Sequence, residues 1–210
     1  MIKVLDYGMG NTASMLNMIR KAGGQAKLCS NPKEFCSATM IILPGVGAFD
    51  NGIEKLTNSG LLEALKQKVL EDKVPFLGVC LGMQLLFDKS EEGKLPGLGW
   101  IKGDVTRFDF SSIQSNGRLK VPHMGWNVVN PKTYDNLFAG LEDEARFYFV
   151  HSYHVNCSDP SDILATANYG YEFICSVRHE NIWGAQFHPE KSHRFGVQFF
   201  KNFLKKIEHA

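Results

Sequence analysis

The chain has 210 residues, 44% of them hydrophobic and 21% charged, with a formal net charge of +1. That length buries a sizeable core and suits a single domain spanning 1–210. The near-neutral balance gives no pull towards nucleic acid or an anionic membrane, and no apolar stretch has the length of a signal-peptide core or membrane span, so a cytoplasmic protein with small-molecule or protein partners is expected.

In chain order, residues 2–5 form the first short apolar run, of the kind that fills a strand buried on both faces of a parallel sheet. Asn11 and Thr12 then cap a helix expected to turn Leu16 and Ile19 inward. A second apolar run at 40–43 leads into Pro44-Gly45-Val46-Gly47-Ala48-Phe49, where glycines on both sides of Val46 permit backbone conformations that other residues resist. Such a turn can aim a peptide N–H into a neighbouring site, although by itself it also reads as an ordinary glycine turn. Leu61, Leu62, Leu65 and Val69 repeat at helical spacing, and a third strand at 75–79 follows.

Beyond this β/α alternation the pattern changes. Residues 105–108, 146–150, 163–167, 173–177 and 183–187 read as successive strands separated by polar or glycine-containing turns. Phe199, Phe200, Phe203, Leu204 and Ile207 then lie on one helical stripe. The expected fold is α/β, a largely parallel central sheet flanked by helices, with a mixed or antiparallel extension in the second half.

The chemistry concentrates at Gly78-Val79-Cys80-Leu81-Gly82, where the third strand runs into a helix that begins with Leu81, Met83, Gln84 and Leu85. A nucleophile on so tight a turn is exposed, and glycines two residues away on each side remove Cβ atoms that would clash. The helix N-terminus favours the thiolate, and the Leu81 N–H is placed as an oxyanion donor, with Val46 as the second candidate. Alone, Cys80 reads equally well as a small core residue.

A thiol nucleophile needs a base. In His188-Pro189-Glu190 the proline biases His188 towards extended geometry, so residues 188 and 190 project to the same side and Glu190 can orient the imidazole. The five cysteines are scattered without close pairs, so reduced thiols are expected. His151 and His154, three apart in a segment that reads as a strand, are expected to face opposite ways; no metal site and no cofactor is expected.

Together these segments resemble the class I (triad) glutamine amidotransferases, and most of all their HisH-type glutaminase subunits. The likeness is carried by DYGMGN from Asp6, LPGVGAF from Leu43, GVCLGMQLLF from Gly78, SEEG from Ser90, PHMGWN from Pro122, FYFVHSY from Phe147 and QFHPEKS from Gln186. It implies Cys80 as nucleophile, His188 as acid/base, Glu190 as its partner, and Val46 and Leu81 as oxyanion donors. It also implies that Gly47, Gln84, Glu92 and the Ser152 region hold glutamine. Asn11, Met124, Trp126 and Lys191 match positions at the interface with a synthase subunit, for which the resemblance implies a HisF-type (β/α)₈ barrel. A sugar amidotransferase of surface polysaccharide synthesis is the alternative acceptor, suggested by Lys191-Ser192-His193-Arg194-Phe195-Gly196. A cysteine hydrolase acting on another amide, or an inactive binding module on this fold, are the rival readings.

Overall fold

The computed structural model describes residues 1–113, 119–132, 136–141 and 145–206. Its strands are β1 Ile2–Leu5, β2 Ala26–Cys29, β3 Met40–Gly45, β4 Phe76–Cys80, β5 Lys89–Ser90, β6 Gly103–Arg107, β7 His123–Pro131, β8 Arg146–His151, β9 Tyr153–Cys157, β10 Ile163–Tyr169, β11 Tyr171–His179 and β12 Ile182–Ala185. The helices are α1 Thr12–Lys21, α2 Phe49–Asn58, α3 Leu62–Lys66, α4 Leu81–Gln84 and α5 His193–Leu204.

The main path of the sheet runs β2-β1-β3-β4-β12-β11-β10-β7-β8. The first five strands are parallel and the rest antiparallel, which is the parallel half and antiparallel extension that the pattern of runs predicts. Insertion of β12 beside β4 has the largest consequence for function. It aligns Ala185 with Val79, so the chain just beyond β12 leaves the sheet next to Cys80.

Period-two alternation divides the core into two layers. Met40 and Ile42 face the layer that contains Met15, Ile19, Phe199 and Phe203 from α1 and α5. Ile41 and Leu43 face the other, with Phe49, Leu56, Leu65 and Leu85 from α2, α3 and the segment that opens with α4. Because both faces are covered, these strands are apolar without alternation in sequence.

Several expectations shift in detail. The buried stripe of α1 is Met15, Met18 and Ile19, an i, i+3, i+4 set that leaves Leu16 half-buried on its flank. The helical run at 61–69 is α3 continued by a π-turn, Gln67–Glu71, closed by the Asp72 N–H donating to the Gln67 carbonyl at 2.9 Å. In α5, Phe199, Phe200 and Phe203 are buried as expected, while Ile207 lies outside the described residues.

One expectation is overturned. His151 and His154 do not face opposite ways: both rings pack on Phe108, with centroids 5.2 and 4.9 Å from it. The chain bends at Ser152, between the end of β8 and the start of β9, and that interruption resets the alternation. Among the described residues no group of three or more His, Cys, Asp or Glu is placed to hold a metal ion. No described helix is long and apolar enough to cross a membrane.

Candidate active site

Cys80 ends β4 with φ 55° and ψ −113°, a left-handed conformation that a non-glycine residue adopts only under constraint. The glycines around it supply that constraint. A Cβ on Gly82 would overlap the Leu43 carbonyl oxygen, and one on Gly78 would stand 2.5 Å from the Gly82 carbonyl oxygen, so the elbow closes only without side chains there. Gly45, paired with Cys80 across the ladder, is equally confined: a Cβ would meet Gly82 N at 2.8 Å, Leu81 Cβ at 2.9 Å and the Tyr7 hydroxyl at 3.0 Å. The turn that carries Val46 therefore lies against the start of α4. Gly47 completes that turn at φ 109°.

Tyr7 explains how a proline fits at this point of an internal strand. Its hydroxyl donates to the Pro44 carbonyl at 2.9 Å, on the side where β1 has already ended, its last partner in β3 being Ile42. Because a strand residue's N–H and C=O point to one edge, the missing N–H of Pro44 faces the same unladdered space. Burial, followed by the nearby Cys80, raises the Tyr7 hydroxyl well above its usual range, so it stays a neutral donor.

His188 follows β12, its N–H donating to the Tyr148 carbonyl at 2.8 Å and its Nδ1 2.8 Å from Glu190 Oε1. The pair is buried, with side-chain exposures of 2% and 4%. Burial alone would suppress the imidazolium; the Cys80 sulfur and the Glu190 carboxylate outweigh it and raise the His188 pKa to about 10. Nε2 completes no hydrogen bond within ordinary distance among the described residues, although the sulfur is close enough to influence its titration, and Glu190 Oε2 is likewise buried without a partner. The arrangement can supply a nucleophile, an imidazole that can carry a proton, and a carboxylate that fixes the ring.

A cavity of about 370 Å³ opens over Cys80 and His188. Val46, Gly47, Leu81, Gln84, Glu92 and Ser152 all line it, so the oxyanion and substrate candidates from four separate segments meet at one place. It lies beyond the carboxyl ends of β3, β4 and β12, where wound sheets bind their ligands. Glu92 also has a structural duty: Oε2 accepts the Phe49 N–H at 2.9 Å at the start of α2, and burial raises its pKa. Asp50 accepts the Lys94 and Leu95 N–H groups, and a Cβ on Gly93 would overlap Asp50 Oδ1, so the SEEG segment is clamped onto α2.

Lining and adjoining the cavity is a hydrogen-bonded set of polar groups whose connection sequence reasoning missed. The Asn127 amide nitrogen is 2.8 Å from the Asn168 carbonyl and 3.3 Å from His123 Nε2; His123 Nδ1 is 3.0 Å from His151 Nε2; His151 Nδ1 is 2.7 Å from the Tyr153 carbonyl. Carbonyls only accept, so both ends of this chain are fixed and each imidazole must be neutral with its proton on Nδ1. Burial agrees, pushing His123 down to about 4 and His151 to about 3. His154, which contacts the Tyr171 hydroxyl at 2.9 Å, is lowered by burial as well.

These histidines bind fewer protons folded than unfolded at any pH between their depressed values and about 6.5, so their contribution is present above 6.5 and lost as the pH falls. His188, raised, is protonated in both states in that window, and Glu92, raised, offsets a little of the loss at its acid end. Unfolding free energy from denaturant titration is expected to fall by about 2 kcal/mol per pH unit between pH 6 and 5. His123→Asn should roughly halve the slope. A flat profile would show that the histidines are not held neutral.

The residues expected at an interface, Asn11, Met124, Trp126 and Lys191, are all exposed. Met124 is 63% exposed and Trp126 46%. Lys191 Nζ sits 5.7 Å over the Tyr148 ring, and His193 stacks on Trp126 at 5.5 Å. Asn11, also exposed, caps α1 by accepting the Ser14 N–H at 3.1 Å.

A strand-end cysteine in a strained elbow, a strand-end histidine and its carboxylate around one cavity define a cysteine-nucleophile hydrolase on a wound α/β sheet. Residues 3–207 match the model of the family "Glutamine amidotransferase class-I". The chain is 49% identical to "Imidazole glycerol phosphate synthase subunit HisH 2" of Pseudomonas aeruginosa, covering 99% of this chain and 100% of that one. It is 50% identical to "Imidazole glycerol phosphate synthase subunit HisH" of Sulfurimonas denitrificans, covering 98% of each. Among solved structures, a glutamine amidotransferase aligns with a TM-score of 0.75 at 17% identity, covering 99% of this chain and 98% of that one. PurLQS from Thermotoga maritima aligns at 0.67 and 17%, covering 99% and 97%. The chain belongs to the class-I glutamine amidotransferases and, within them, to the HisH family.

Proposed function

We propose that the chain, working as one domain, is the glutaminase subunit of a two-protein imidazole glycerol phosphate synthase of histidine biosynthesis. It hydrolyses glutamine to glutamate and passes the ammonia to a HisF-type synthase subunit. The reading is carried by the meeting of Cys80, His188 and the substrate candidates in one cavity, joined to near-full-length likeness to HisH proteins.

In this reading the Cys80 thiol gives its proton to His188 Nε2, and the resulting thiolate attacks the side-chain amide carbon of glutamine. A C–S bond forms, and the carbonyl electron pair moves to the oxygen, received by the Val46 and Leu81 N–H groups. The imidazolium of His188, held by Glu190, gives its proton to the amide nitrogen, the C–N bond breaks and ammonia leaves. Neutral His188 then takes a proton from water, which attacks the γ-glutamyl thioester, and the C–S bond breaks to release glutamate. Gln84, Glu92, Gly47 and Ser152 hold the substrate, and the exposed Met124, Trp126, Lys191 and Asn11 face the partner.

Mixing the purified chain with a HisF barrel loaded with its nucleotide substrate should raise glutamine turnover by about tenfold to a hundredfold over the chain alone, the range of coupling usual between sites. Activation by a sugar amidotransferase instead would reassign the acceptor and leave the hydrolytic chemistry in place. Equal turnover with and without partners would refute dependence on a synthase.

A further inference from the structure

Gln186 has no part in the chemistry described so far, although it is fully buried one residue past β12 and two before His188. Its backbone N–H donates to the Cys175 carbonyl at 2.9 Å, which anchors it to the sheet. Its side chain lies between two residues of the cavity. Oε1 is 2.9 Å from Gln84 Nε2, and Nε2 is 3.7 Å from Cys80 Sγ.

The orientation of that amide follows from its neighbours. Gln84 Nε2 is also 3.2 Å from the Tyr153 carbonyl, which can only accept, so this end of Gln84 is its NH₂ group. An NH₂ group requires an acceptor opposite it, which makes the facing atom of Gln186 the oxygen. Only its nitrogen is then left to meet the sulfur. The Tyr153 carbonyl is itself held by His151 Nδ1 at 2.7 Å, so the series begins at a fixed point.

We propose that Gln186 is a further catalytic residue, touching the reacting sulfur and donating an N–H to Cys80 Sγ from an amide locked in one orientation by Gln84. The inference rests on the glutaminase reading above. The donated bond strengthens as charge gathers on sulfur and weakens as charge leaves it. It therefore acts at two moments: when sulfur is the free nucleophile, and when the thioester breaks. In the second, water oxygen bonds to the acyl carbon, the C–S electron pair returns to sulfur, and the water proton passes to His188. The donor stabilises that departing sulfur. It also holds the sulfur in place at an elbow whose backbone is strained. The titratable groups that also face the sulfur are His188, beyond β12, and Tyr7, beyond β1.

The test reads the sulfur directly. Iodoacetamide labelling of Cys80 in the full chain, followed by peptide mass mapping, is compared at pH 6.5 and 9.5 for the unaltered protein, Gln186→Met and Gln186→Glu. Gln186→Met keeps the volume and removes the donor; Gln186→Glu keeps an acceptor for Gln84 and sets an oxygen against the sulfur. Loss of one hydrogen bond to a charged group predicts labelling about tenfold slower at pH 6.5 in Gln186→Met, and within about threefold of normal at pH 9.5. Gln186→Glu should be slower still at the lower pH, and it carries the test if the methionine variant does not fold. Unchanged labelling at pH 6.5, or equal slowing at both pH values, would overturn the donor role. Absence of Cys80 labelling in the unaltered protein would instead sink the glutaminase reading itself.

Discussion

Cys80→Ala is expected to abolish glutamine-dependent synthesis by the assembled enzyme, by about 10⁴-fold or more, and to leave synthesis from added ammonium within about threefold of normal. The size of the first effect follows from the chemistry: no other group at the elbow can form the thioester, and oxyanion donors without a nucleophile retain only a small share of the acceleration. The second follows from the geometry. Cys80 is 7% exposed and lines its own cavity, whereas the partner surface proposed above rests on the exposed Met124 and Trp126, which do not line that cavity. Removing one sulfur atom there takes away little packing. Loss of both activities would place Cys80 in assembly instead, and retention of both would favour the inactive-module reading. The measurement is product formation by the reconstituted pair with each nitrogen source.

The parts of this site legible in the sequence are those whose determinants are local. Gly78, Cys80 and Gly82 lie within five positions, and the reason for the glycines is contact inside that turn and with the next strand. His188 and Glu190 are two apart and meet through one short segment, Pro189–Lys191. The families of strands also declared themselves where burial on both faces leaves a plain apolar run, as in β3 and β4. β2 did not, because it is a four-residue edge strand whose two middle residues are exposed. β7 was missed for a related reason: its pattern is broken by exposed residues and by Gly125 at φ 135°.

What the sequence hid depends on register between distant segments. His123 and His151 are bonded because β7 and β8 pair them directly. Shifting that ladder by one residue would put the two rings on opposite faces of the sheet. Gln186 and Gln84 meet across 102 positions, and Tyr7 reaches Pro44 across 37. None of these residues has a spacing that advertises a partner, so each reads as an ordinary polar residue until the strand order is known. The error over His151 and His154 has the same origin, since one bend at Ser152 undid an inference that assumed an unbroken strand.

Gly82→Ala is expected to be damaging out of proportion to the single methyl group it adds. The new Cβ would overlap the Leu43 carbonyl oxygen and stand 3.0 Å from the Leu43 carbonyl carbon, both backbone atoms of a central strand that cannot rotate away. Relief requires α4 to lift from β3, at a cost of about 3 kcal/mol or more, a fall in Tm of roughly 6–12 °C for a chain of this size. The same lift moves the Leu81 N–H and Cys80 off their alignment with Gly45, and a displacement near 1 Å costs about a hundredfold in turnover. Gly60→Ala separates the causes. Nothing lies within 4 Å of its Cβ position, but its φ of 72° is unfavourable for alanine. Conformational strain alone should cost it about 1 kcal/mol with turnover unchanged. If Gly82→Ala unfolded no more readily than Gly60→Ala and kept its activity, the close approach of α4 to β3 could not be what holds the nucleophile in place.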